Sequence, residues 1–132
     1  MFWHKRPPTE IAQEFVDACN ARDTVAMARI LADDVVFEDS RGGRIEGRDE
    51  MLRALAAVNQ VAPDLRVEIN RASNLGDTAL LAGRSLTSNH TLVCDTQWRA
   101  VVRDGKLVEW QAFGHPAESS LVGLITSLGR AE

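Results

Sequence analysis

The spacing of apolar residues changes near Leu65, and this change limits the fold more than any other feature of the sequence. Before it, apolar residues recur every three or four positions, which predicts helices. After it they alternate with polar residues, which predicts strands. A chain with helices first and an antiparallel sheet afterwards is expected to be an α+β protein with the helices on one face of the sheet.

Three helices are predicted in the first half of the chain. The first begins after Pro7 and Pro8, the second spans about residues 24–31 behind an Asp23 cap, and the third opens at Asp49. Because these helices are amphipathic, a curved sheet is expected to wrap around them. Such a cone encloses an apolar hollow of the kind that binds small ligands.

A short strand between the second and third helices places a carboxylate on an apolar face. A period of two puts Val35, Phe37 and Asp39 on one side and Glu38 on the other. A carboxyl group in apolar surroundings is suited to proton transfer. Asp39 is therefore a candidate general acid or base; the alternative is a residue that starts the turn at 40–43.

Four further strands are predicted after the change of period. They cover about residues 66–74, 78–88, 91–103 and 106–114, with turns at 75–77 and at the Asp-Gly pair 104–105. One face of the last two strands carries Trp98, Val108 and Trp110, and the other face is polar. This pattern is typical of an antiparallel sheet with one covered side.

Length and composition indicate a single domain and limit its partners. The 132 residues are expected to form one unit, with a core at 9–115 and a C-terminal helix at 117–128. A net charge of −4 argues against nucleic acid, and no apolar run is long enough for a membrane span or a signal peptide. The expected location is the cytoplasm. Cys19 and Cys94 lack metal-ligand spacing, so both are expected to be buried thiols and no metal site is expected.

Three segments together resemble the nuclear transport factor 2-like superfamily. They are residues 15–23, residues 31–39 and the closing hairpin at 102–110. The resemblance covers about residues 9–115 and is greatest to the ketosteroid isomerase and polyketide cyclase (SnoaL-like) branch. It implies a cone-shaped fold with an apolar pocket, a homodimer, and no cofactor.

The resemblance also assigns roles to individual positions. Asp39 matches the general base of ketosteroid isomerases. The tyrosine that stabilises the oxyanion in those enzymes is matched by Phe15, and their protonated aspartate is matched by Thr96 or Trp98. Since neither donor is kept, the chain is not expected to be an efficient ketosteroid isomerase.

The candidate ligand-contacting residues lie on the faces predicted to point inward. They are Phe15, Phe37, Thr96, Trp98 and Trp110. His90 and His115 are weaker candidates for proton transfer. Arg84 shares strand parity with Leu80 and is a candidate for pointing inward beside an acid, as in limonene epoxide hydrolases.

Two functional classes follow from these observations. One is an enzyme that isomerises, cyclises or dehydrates a small apolar molecule with Asp39 as acid or base, or that activates water as an epoxide hydrolase does. The other is a non-catalytic module that binds a small ligand or forms a dimer. In both, the expected partners are a small apolar molecule and a second copy of the chain.

Overall fold

A computed structural model describes residues 6–39, 42–88 and 94–115, without the side chains of Cys94 and His115. The three helices are α1 (Pro8–Ala21), α2 (Thr24–Ile30) and α3 (Arg48–Val61). The predicted cap of α2 is confirmed, because the Asp23 carboxylate accepts the Ala26 N–H at 3.0 Å. The predicted C-terminal helix at 117–128 lies outside the described residues.

One curved sheet covers the helices. Its strands are β1 (Leu31–Asp39), β2 (Arg44–Glu46), β3 (Arg66–Leu75), β4 (Thr78–Leu86), β5 (Cys94–Arg103) and β6 (Lys106–His115). They lie in the order β2-β1-β6-β5-β4-β3. The β1–β6 pair is parallel and the other pairs are antiparallel. The predicted α+β cone is thus confirmed, with a short strand β2 that the sequence did not predict.

Two bulges change which residues face inward. In β6, Val102 pairs with Leu107 and Val101 with Glu109, so Val108 is the extra residue. Leu107 is therefore fully buried while Val108 is only partly buried, and the placement of Val108 on the same inner face as Trp110 is wrong. In β3, Asn70 is the extra residue between Ile69 and Arg71.

Strands β3 and β4 approach each other closely at Gly83, beside the β3 bulge. A Cβ atom at this position would lie 1.8 Å from the Glu68 carbonyl oxygen. Gly83 pairs with Thr96 on β5, and Thr96 pairs with Gly114 on β6, so small residues follow one another across three strands. Glycines at such positions let a sheet bend sharply.

The core lies between α1 and the inner face of the sheet. Its buried side chains include Ile11, Phe15, Leu31, Val35, Phe37, Met51, Trp98, Leu107 and Trp110. Helix α1 contacts β3, β4, β5 and β6, while α3 lies against β1 and β2. In the described part of the chain, no helix has the length and apolar character needed to cross a membrane.

Candidate functional site

A small cavity lies between the helices and the inner face of the sheet. Its volume is about 70 Å³, and its apolar lining includes Phe15, Met27, Phe37, Leu55, Trp98 and Trp110. Four of the five predicted ligand-contacting residues therefore meet at one cavity. An apolar cavity of about 150 Å³ accommodates benzene, so the space here is small.

Aromatic side chains form one wall of the cavity and limit its size. The ring centroids of Phe15 and Trp110 are 5.1 Å apart in an edge-to-face arrangement, and those of Trp98 and Trp110 are 6.3 Å apart. Phe37 lies beside Trp110 because the two residues are partners in the parallel β1–β6 ladder. All four residues are buried, so the aromatic wall is also a large part of the core.

Two polar side chains on the cavity lining have no hydrogen-bond partner within the described part of the chain. They are the Asn59 amide near the end of α3 and the Ser85 hydroxyl on β4. A third polar residue, Asn20, already makes two hydrogen bonds. Its amide donates to the Val67 carbonyl at 2.8 Å and its oxygen accepts the Val67 N–H at 2.9 Å. The groups open to a ligand are therefore Asn59 and Ser85.

Arg22 brings a positive charge to the same cavity. It follows α1 in a left-handed backbone conformation with φ of 55°. Its guanidinium donates to the carbonyls of Cys19 at 3.3 Å, Asn20 at 3.1 Å and Pro63 at 2.6 Å. These contacts fix the side chain between the end of α1 and the segment that leads into β3.

Cys19 lines the cavity as a free thiol. Burial raises its pKa to about 12, although the Arg22 charge opposes this effect. The Sγ atom lies 3.8 Å from the Met27 sulfur. At neutral pH Cys19 is therefore a protonated, weakly polar part of the wall rather than a nucleophile.

Asp39 lies on the inner face but does not line the cavity. Its side chain is buried, with 8% of the residue exposed, as its strand parity predicted. One carboxylate oxygen accepts the Gly43 N–H at 2.9 Å, and the Asp39 N–H donates to the Gly43 carbonyl at 3.0 Å. These contacts close the turn between β1 and β2, so Asp39 starts the turn whatever its role in chemistry.

The remaining candidates take separate positions. Thr96 is buried on the inner face of β5 but is absent from the cavity lining. Arg84 is exposed on the outer face and pairs with Asp95 at 3.0 Å, so its predicted inward orientation is wrong. Its strand parity matched Leu80, but Leu80 itself is exposed, while Ala79 and Leu81 are buried. His90 and the side chain of His115 lie outside what the structure describes.

The described residues contain no cluster of three or more His, Cys, Asp or Glu side chains suited to a metal ion. Sequence reasoning did not single out Arg22, Asn59 or Ser85. Only Ser85 carried a usable signal, because a serine in β4 alternates in step with Ala79 and Leu81. Arg22 follows α1 and Asn59 lies within α3, and both meet Ser85 only in the folded chain.

The curved sheet wrapped around three helices is the fold of the nuclear transport factor 2-like superfamily. Within it, the chain belongs to the SnoaL-like domain family, whose sequence model matches residues 12–110. This match confirms the predicted branch. No curated protein matches the chain.

Solved structures with the same fold carry related names. A provisional ketosteroid isomerase from Kribbella flavida is 25% identical, with a TM-score of 0.71 over 83% of this chain and 78% of that chain. A provisional polyketide cyclase from Sinorhizobium meliloti is 24% identical, with a TM-score of 0.71 over 78% and 93%. IdmH, a provisional polyketide cyclase from Streptomyces antibioticus, is 16% identical, with a TM-score of 0.75 over 90% and 99%. The last two likenesses establish the fold alone.

Proposed function

We propose that this protein binds a small, mostly apolar molecule in the cavity between its helices and its sheet. The observation that carries the proposal is the pairing of apolar walls with the amide of Asn59 and the hydroxyl of Ser85, both unpartnered within the described residues. Ligand sites commonly combine an apolar lining with a few polar groups that orient the ligand. A ligand with one carbonyl or hydroxyl group suits this arrangement.

The size of the cavity limits the part of the ligand that lies between the apolar walls to a short branched alkyl group, with the polar group of the ligand at the edge of this space. About 70 Å³ is less than half of the space that accommodates benzene. A steroid would require the side chains of Trp98 and Trp110 to move from their packed positions. This supports the expectation that the protein is not an efficient ketosteroid isomerase.

Binding is tested by filling the cavity. Isothermal titration calorimetry with 4-methylpentan-2-one, a short branched ketone, is expected to detect binding to the native protein and none to Leu55→Trp. Val61→Trp is the matched control, because Val61 lies on the same helix but outside the cavity lining. Equal binding by both variants, with both folded by circular dichroism, would contradict the proposed site.

Proton transfer by Asp39 is a second candidate function. In its favour, Asp39 is buried and lies beside Ala112, which in turn pairs with Trp98 of the cavity wall. The carboxylate would have to reach a ligand that extends past the aromatic side chains. The reaction would be an isomerisation, cyclisation or dehydration, in keeping with the names of the structural neighbours.

Asp39→Asn tests this second function because an asparagine oxygen can still accept the Gly43 N–H. The expected result is loss of turnover in a screen of small ketones, with binding retained. Glu38→Gln is the control, since Glu38 lies on the opposite face and pairs with Arg44 at 3.2 Å. Equal turnover by Asp39→Asn and the native protein would exclude the proton-transfer role.

Formation of a homodimer stays a prediction. The outer face of the sheet carries the exposed apolar side chains Leu80 (44%) and Phe113 (36%), which favour it. Native mass spectrometry that detects only the monomer would contradict it.

A further inference from the structure

Arg22 differs from the other partly buried arginines in the described part of the chain. Arg48 pairs with Asp33 at 2.7 Å, and Arg99 pairs with Glu109 at 3.0 Å. Arg22 is also partly buried, but among the described residues it has no carboxylate partner. A partly buried cation without a counter-ion is costly unless an anion completes it.

The acidic residues that follow Arg22 and its partner Pro63 in the sequence make other hydrogen bonds. Asp23, the next residue, uses its carboxylate to cap α2 through the Ala26 N–H. Asp64 follows Pro63, whose carbonyl accepts from Arg22, but its two oxygens accept the Thr87 hydroxyl at 2.5 Å and the Ser88 N–H at 2.8 Å. The protein thus keeps the guanidinium in place with neutral carbonyls and leaves its charge uncompensated by these acids.

The Arg22 guanidinium has N–H donors that these contacts do not use. Its contacts to Cys19, Asn20 and Pro63 account for at most three of the five N–H groups. Its charge also acts inside the cavity, because it opposes the burial effect on the pKa of the Cys19 thiol. Arg22, Asn59 and Ser85 therefore present donors to one small apolar space.

We infer that the cavity ligand is a short, branched carboxylic acid bound as its anion, with the carboxylate on Arg22 and the apolar body against the aromatic wall. This inference rests on the proposed binding function and names the chemical class of its ligand. Guanidinium and carboxylate groups match in geometry and form strong charge-assisted hydrogen bonds. Asn59 and Ser85 supply neutral donors that orient the same head group.

The test compares an acid with its neutral isostere. Calorimetry on the native protein is expected to give at least about tenfold tighter binding of 3-methylbutanoate than of 3-methylbutanamide, because hydrogen bonds to charged groups are the stronger ones. Arg22→Gln should bring the ratio of the two affinities close to one, and Arg22→Lys should retain part of the preference. Arg29→Gln removes the same charge from an exposed site outside the cavity lining and should leave the ratio unchanged.

A second measurement needs no variant. In the ¹⁵N-labelled native protein, the Arg22 Nε–H signal should shift when 3-methylbutanoate is added and stay in place with the amide. Equal affinities for acid and amide, or an unmoved Arg22 signal at saturation with acid, would overturn the inference while leaving the binding function intact. If neither these probes nor the neutral ketone binds, the proposed function fails as well.

Discussion

Two polar regions beside the sheet's inner face differ in whether their side chains already make hydrogen bonds. At the end of β1, the Asp39 carboxylate accepts an N–H from its own turn. On β4, three strands from β1 in the sheet order, the Ser85 hydroxyl lines the cavity without a partner among the described residues, and so does the Asn59 amide on α3. If burial were the criterion for a functional site, Asp39 would be chosen. If unused hydrogen-bonding capacity is the criterion, the cavity is chosen. The difference shows that a buried polar group can be held by its own chain, so burial alone does not identify a ligand site.

The largest loss of stability is expected from a substitution at Gly83, where β3 and β4, which contribute Val67 and Ser85 to the cavity lining, approach closely. Gly83→Ala places a methyl group 1.8 Å from the Glu68 carbonyl oxygen, so β3 and β4 must separate there. The expected loss of stability exceeds about 3 kcal/mol because backbone, not a flexible side chain, must move. Urea unfolding followed by circular dichroism measures it.

Gly105→Ala is the control for Gly83→Ala. Gly105 has φ of 76° and nothing within 4 Å of an added Cβ, so this variant isolates the conformational cost of losing glycine. That cost is about 1–2 kcal/mol. If the two variants lose the same stability, the close approach of β3 and β4 at Gly83 is not needed for the fold.

The second-largest loss of stability is expected from a substitution in the aromatic wall. Trp110→Ala removes the contacts with Phe15 and Trp98 and leaves a void, at a cost of about 3–5 kcal/mol. The enlarged cavity should then accept benzene, whose rigid ring needs about twice the native volume and cannot leave part of itself outside, as the short alkyl group of a branched acid or ketone can. Thermal unfolding with and without benzene checks both results: the absence of any benzene-induced rise in the variant's melting temperature would mean that the cavity had collapsed.

Substitution of Asp39 is expected to have an intermediate effect on stability, and it tests the role of this residue in the turn after β1. Asp39→Ala leaves the partly buried Gly43 N–H without this acceptor, which is expected to cost about 1–3 kcal/mol. Asp39→Asn keeps an acceptor oxygen and should cost clearly less. If both variants are as stable as the native protein by urea unfolding, Asp39 is not needed for the turn, and its burial then requires another explanation such as catalysis.

Much of the fold was predictable because local patterns and the final packing agree. Val35 and Phe37 alternate inward as expected, and the Asp104-Gly105 pair forms the turn between β5 and β6, with positive φ at both residues. The inward side of β4 was less clear. Leu80 and Leu81 are both apolar, so hydrophobicity alone does not decide which one is buried, and Arg84 was assigned to the wrong face for this reason.

The unpredicted features depend on contacts between distant segments. Strand β2 has only three residues and exists because it pairs with β1. The bulge at Val108 is set by pairing with β5, and it brings Leu107 into the core. Likewise, the polar cavity lining joins a position after α1, one on α3 and one on β4, and no local motif connects them.

The smallest effect on stability is expected at Asp64. Like Asp39, this carboxylate accepts hydrogen bonds from residues of the same chain, but it lies on the surface. Hydrogen bonds, first from the Thr87 hydroxyl and then from the Ser88 N–H, lower its pKa to about 2 from an ordinary value of 3.8. A lowered folded-state pKa stabilises the protein above the ordinary value, and this contribution is lost as the pH falls toward about 2. Asp64→Asn should therefore reduce stability slightly at about pH 5 and have less effect at about pH 3, since at the lower pH the carboxylate of the unfolded chain is already largely protonated and folding must release that proton. Urea midpoints at the two pH values measure the difference, with Asp34→Asn on the exposed part of β1 as control. An equal loss at both pH values would show that the contacts of Asp64 do not depend on its charge.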